Sequence, residues 1–168
     1  MKPTSLSQLL SDHLWQLHCM EMHISRTLSV LAASVLNPRL RRLLSERAMC
    51  AYERRKILEE LLRRHAHPLA TKTRDLIKGI LVEGNRDLAR IHNPCSLDVA
   101  MIEHCIRIEQ HATTAYGIAV PLTSRMGFPQ VGDKLGLLLA DLETARSSFH
   151  ALEMEVFLIA ARHHPPAA

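Results

Sequence analysis

Two glutamates stand where apolar residues belong. The N-terminal segment repeats Leu10, Leu14 and Leu17, then Ile24, Leu28 and Leu31, and Glu21 fills the gap at the same helical phase. Later in the chain Ile102 and Cys105 lead on to Ala112, Tyr116 and Ala119, with Glu109 in the corresponding gap. A carboxylate facing a helical core is costly unless it is protonated, paired with a cation or bound to a metal. Two of them, one on each of two long helices, are what a di-metal carboxylate site would begin with. The alternative that needs no site is rotation of one or both to the bundle edge.

Other residues could complete such chemistry. His18 precedes Glu21 by one turn, His104 and His111 are two turns apart, and Glu143 and His150 have the same relation. Such pairs share a helix face and can converge on an ion. A chain with eleven histidines also produces them without a site. His65-Ala-His67 falls at a helix end and His163-His164 in a frayed C-terminal tail, away from any bundle interior. Arg47 and Arg54, two turns apart on one face near a core boundary, are suited to partly buried carboxylates, because the planar guanidinium binds them bidentately and keeps its charge. Alternatively, both extend to solvent. The sequence contains no phosphate-binding glycine loop, nucleophile elbow or Ser/His/Asp order.

The elements that must position these residues are helices. With 168 residues, 47% hydrophobic, 4% aromatic and only six glycines, the composition suits one all-α domain spanning 1–168 and argues against a sandwich or barrel. Apolar periodicity and turn signals predict helices at about 5–36, 38–65, 71–91, 97–126 and 133–162. Asn37-Pro38 closes the first and opens the second, Asn93-Pro94 ends the third, and Ser96 or Asp98 caps the fourth. Four long helices, with a long crossover containing a short extra helix between the second and third of them, are the layout of a ferritin-like four-helix bundle.

The net charge of +4 is concentrated between Asn37 and His67, where nine Lys or Arg accompany four Glu. Glu59 and Glu60 precede Arg63 and Arg64 by one turn, as on a solvated helix with its own ion pairs, so a nucleic-acid partner is not expected. Four cysteines without a CxxC pair suit reduced, mostly core thiols. No apolar run reaches the roughly 18–20 residues of a membrane span, and no basic stretch with a continuous apolar core opens the chain. A cytoplasmic protein without membrane contact is expected.

From about Leu9 to Glu153 the chain resembles the YciE/YciF-like ferritin-like proteins. The matching stretches are Glu21-Met-His-Ile-Ser-Arg-Thr-Leu28, Leu81-Val-Glu83-Gly84, Asp98-Val-Ala through Arg107-Ile-Glu109, and Ala115-Tyr116-Gly117. The resemblance implies a ferritin-like bundle, commonly a homodimer, with a carboxylate-rich metal site and a role in bacterial stress response. The family pattern is broken at the metal positions. Relatives carry a Glu pair and a histidine where this chain has Ser45-Glu46-Arg47, a second glutamate where it has Ala112, and adjacent glutamates where it has Thr144 and Ala145. A full di-iron site needs about four carboxylates and two histidines, and only Glu21 and Glu109 remain in register.

The expected function is therefore a stress-associated binding or structural scaffold with a degenerate di-metal site, in which Arg47 and Arg54 substitute for metal charge, two against two. It leans away from enzymatic activity and needs no cofactor; a homodimer and an unidentified protein partner are expected. The alternative is a di-iron-type oxidoreductase or metal-storage protein binding iron or manganese through Glu21 and Glu109, with His18, Glu46, His111, Glu143 and His150 as weaker candidate ligands.

Overall fold

The computed structural model describes residues 5–65 and 76–163. They form α1 (Leu6–Ser34), α2 (Pro38–His65), α3 (Leu76–Leu88), α4 (Pro94–Arg125) and α5 (Pro129–His163). Among the described residues there is no strand, and no helix is long and apolar enough to cross a membrane. The expected helix start at Thr71 and the tail residues His164-Pro165-Pro166 lie outside the described residues, whereas His163, expected in the tail, is the last residue of α5.

Local chemistry sets the helix ends. The Ser5 hydroxyl accepts the Gln8 N–H at 3.2 Å and opens α1. At the next turn Asn37 Oδ1 accepts the N–H groups of Arg39 and Leu40 at 2.9 and 3.1 Å, with Pro38 in the first helical position where no N–H is needed. The expectation for α4 requires correction: Asn93, not Ser96 or Asp98, is its cap, accepting the Ser96 N–H at 2.9 Å, and the helix begins at Pro94. Asp98 is used across the fold instead, accepting the N–H groups of Leu36 and Asn37 at 3.1 and 2.7 Å, so it pins the α1–α2 turn to α4. The Asn93-Pro94 pair belongs to α4, and α3 ends earlier, at Leu88. After α4, Gly127 takes φ +90°, a backbone conformation that favours glycine, and α5 starts at Pro129 rather than near 133.

The two close-packed hairpins are α1 with α2 and α4 with α5; α3 crosses between them and lies on α4 and α1. Across the bundle α1 meets α4 and α2 meets α5. Leu10, Leu14, Ile24 and Leu28 of α1 pack with Leu40, Leu44 and Leu58 of α2, and with Ile102, Ile108, Leu142 and Phe149 from the second hairpin. This is the all-α, ferritin-like bundle with a short helix in its crossover. Burying each large apolar side chain contributes roughly 1.5–3 kcal/mol, and that packing is what allows a few charged groups to be held at the centre.

Candidate functional site: a buried ion-pair network

Glu21 and Glu109 both face inward and are fully buried. They sit at their gaps because each continues its helix's apolar stripe, so the packing of Leu17, Ile24, Cys105 and Ala112 carries them into the core. Arg54 comes to Glu21 from α2 with a bidentate fork: Nε donates to Oε1 at 2.9 Å and Nη2 to Oε2 at 3.1 Å. Its remaining nitrogen, Nη1, donates to Oδ2 of Asp141 on α5 at 2.6 Å. Arg47 donates to the same Asp141 through Nη1 and Nη2, at 3.3 and 3.1 Å. Its Nε lies 3.6 Å from Glu109 Oε1, an ion-pair separation too long for a hydrogen bond.

The two-against-two balance read from the sequence is thus corrected. Asp141 enters as a third carboxylate and takes the Nη groups of Arg47, so neither oxygen of Glu109 has a hydrogen-bond partner among the described residues. Burial pushes the Glu109 carboxyl above its ordinary value, and the attraction of Arg47 only partly opposes this. Burial also pushes Glu21 up, against the Arg54 charge and hydrogen bonds. For Arg54 itself, desolvation works against the charge, but the Glu21 carboxylate outweighs it and the guanidinium holds its proton more tightly than usual. Asp141 is half-exposed; some desolvation raises it, yet the Arg47 hydrogen bonds and the two positive charges hold it below the usual carboxylate range. With Asp141 in the network, three carboxyls face two guanidinium groups, so charge balances when one carboxyl is protonated; burial raises both Glu21 and Glu109.

Tyr116 lies fully buried beside this network, its phenol pushed well above the ordinary value by burial and by the Glu21 charge. One turn before Glu109, the buried Cys105 thiol is pushed up by the same two causes, burial and a neighbouring carboxylate. All four cysteines are free thiols.

The other candidate ligands do not join this centre. His18 lies at the seam between α1 and α2, away from the centre, with Nε2 3.1 Å from Glu59 Oε1 and its ring edge-on to Trp15. Glu46 is exposed and pairs with Arg42 at 3.2 Å. His111 lines a cleft between α3 and α4 with Glu83, Gly84 and Arg107. Glu143 is exposed, as is His150, whose Nδ1 lies 3.2 Å from Glu153. Among the described residues no three His, Cys, Asp or Glu side chains are grouped to hold a metal ion. Asp141 breaks no apolar stripe in the sequence. Its one signal there is its place beside Leu142, at the edge of the apolar stripe of α5.

Two antiparallel helix hairpins joined by a crossover helix, with ionisable side chains gathered at the centre, define a ferritin-like four-helix bundle protein. A family model described as "Domain of unknown function (DUF892)" matches residues 5–157, and the chain belongs to that family. Among solved structures it is similar to the Escherichia coli stress protein YciF, with 14% identity, a TM-score of 0.82, and coverage of 92% of this chain and 98% of that one. It is also similar to YcfI from Rhodopseudomonas palustris, with 16% identity, a TM-score of 0.80, and coverage of 88% and 94%. At these identities the likeness shows the shared fold. No curated protein matches.

Proposed function

We propose that this protein is a stress-associated binding or structural scaffold of the YciF type, whose bundle centre is closed by guanidinium–carboxylate pairs instead of a di-metal site. The observation that carries this reading is the Arg54 fork, which occupies both oxygens of Glu21 and reaches Asp141. Guanidinium nitrogens are donors with no lone pair to offer a metal, and the Arg54 fork places a positive charge directly against both Glu21 oxygens, where a cation would have to sit. The donor set does not fit a pair of metal ions, so no redox or storage step is assigned to it. The stress association rests on the description of YciF as a stress protein.

The partner side of the proposal is a cytoplasmic homodimer with a further protein partner. Met154, Phe157, Leu158 and Ile159 leave an apolar strip on the last turns of α5, with Leu36 also exposed. Such a strip suits a closed two-fold contact. A nucleic-acid role has little support, because eight of the nine cations of α2 are engaged: Arg47 and Arg54 inside, Arg39 with Glu155, Arg42, Arg55, Lys56 and Arg64 with α2 glutamates, and Arg41 with the Val35 carbonyl. Metal analysis of protein purified without a histidine tag tests the central claim. The expected result is a folded protein with far less than one metal ion per chain. About two equivalents of iron or manganese, the content of a di-metal site, would overturn it in favour of the oxidoreductase or storage alternative.

A further inference from the structure

The crossover helix is held to α4 by a side chain outside the central network. His104 of α4 is fully buried, and neither Nδ1 nor Nε2 has a hydrogen-bond partner among the described residues. Its ring lies directly against the backbone of Gly84 on α3: a Cβ at that position would stand 1.9 Å from His104 Cε1 and 2.1 Å from Nδ1. Glycine is therefore required at 84 by the closeness of the ring. Beyond this contact α3 buries Ile77, Leu81 and Leu88, a thinner attachment than that joining either long hairpin.

An imidazole in this position is accommodated only when neutral. Protonation makes both ring nitrogens donors, and a buried imidazolium without an acceptor carries the cost of an unpaired interior charge. The charged groups acting on it are Arg107, one turn further along α4, which repels a positive ring, and Asp87 of α3, which attracts it. Glu83 of α3 and His111 of α4 stand with Arg107 on the neighbouring cleft.

We propose that His104 is an acid-sensitive latch: proton uptake by its ring releases α3 from α4 and uncovers Ile77, Leu81 and Leu88. Burial first, and Arg107 second, hold the folded histidine down at about 4, against an ordinary value of 6.5. A group depressed in the closed state binds its proton more tightly when open. The opening equilibrium therefore rises as pH falls below 6.5 and levels off near 4, by up to about 300-fold for one group with this shift.

Amide hydrogen exchange of the full chain, corrected for intrinsic rates, tests the latch. Between pH 7 and 4.5 the α3 amides are expected to lose protection by about 50-fold, while α1 amides change far less. His104→Gln is expected to keep α3 protected at pH 7 and to abolish the acid-induced loss. Unchanged α3 protection in the unsubstituted protein, or the same acid loss in His104→Gln, would overturn the proposal and in the second case direct attention to His111. Should His104→Gln not fold, an NMR titration of the His104 ring protons in the unsubstituted protein decides the matter. A midpoint near 4 supports the latch, and one near 6.5 removes it.

Discussion

Replacing Arg54 with alanine tests the network where it is most buried. The substitution removes the two donors that hold Glu21 at 2.9 and 3.1 Å and the one that reaches Asp141 at 2.6 Å. Glu21 is 0% exposed, so its carboxylate cannot recruit bulk water and is left as an uncompensated interior charge. Asp141 is half-exposed and keeps Arg47, so its share of the loss is small. One-sided removal of a buried ion pair costs about 3–5 kcal/mol, and Arg54→Ala should lie in that range in urea unfolding at pH 7. Adding Glu21→Gln should recover part of the loss, because the orphaned charge disappears while the shape is nearly kept. Acid should also help the single variant. With Arg54 gone, burial raises the Glu21 carboxyl further, so the folded state binds its proton more tightly than the unfolded one. Its stability is then greatest below the ordinary glutamate value and falls as pH rises from there through the folded value. If Arg54→Ala changes the unfolding free energy by less than about 0.5 kcal/mol, the range of an ordinary surface substitution, the Arg54–Glu21 pair is not a buried ion pair.

Three further outcomes are expected. Glu109 has a raised carboxyl and no hydrogen bond, so its folded form favours the proton and stability falls as pH climbs from the ordinary glutamate value through the folded one; Glu109→Gln should raise stability at pH 8 by about 1 kcal/mol or more, with little gain at pH 4, in parallel thermal melts. Asp98→Ala leaves the Leu36 and Asn37 N–H groups without their acceptor and should cost about 1–3 kcal/mol in chemical denaturation. If the proposed homodimer closes through the exposed apolar strip of α5, Phe157→Glu should shift a micromolar sample from dimer to monomer by light scattering without lowering its helicity, and a wild-type sample that is already monomeric would remove the dimer from the proposal.

The main features of the centre were legible because interior charge breaks a pattern. Glu21 and Glu109 interrupt stripes that are otherwise apolar from Leu10 to Leu31 and from Ile102 to Ala119, and the two-turn spacing of Arg47 and Arg54 puts both on one side of α2. Asp141 was not legible for the converse reason. A carboxylate at the edge of the α5 stripe resembles a surface residue, and only the reach of two arginines across from α2 draws it in. Asp98 shows the same limit in the backbone: as a local cap it was a reasonable candidate, and its actual partners lie more than sixty residues away. Asn-Pro is ambiguous by nature, since it can close one helix or open the next, and here Asn93-Pro94 opens one. By spacing, His104 is half of a helical pair with His111; its significance depends on Gly84, which no periodicity connects to it.

The geometry of the network also bears on why charged groups are kept in a core that apolar residues could fill. Through Arg47 and Arg54, α2 is tied to α1 at Glu21, to α4 at Glu109 and to α5 at Asp141, so all four long helices meet at one element. Leucine packing between the hairpins tolerates small slides and rotations, whereas a guanidinium fork on a carboxylate accepts only one alignment. Apolar replacement of a buried pair is often neutral or stabilising by about 1–4 kcal/mol, so Arg54→Met combined with Glu21→Leu is expected to match or exceed the stability of the unsubstituted protein. What that double variant should lose is uniqueness, read as broadened or doubled amide resonances for core residues near the former pair, such as Ile24 and Leu58. Sharp, single resonances at unchanged stability would mean that the leucine core alone sets the helix alignment, and the network would then have no role in specifying the fold.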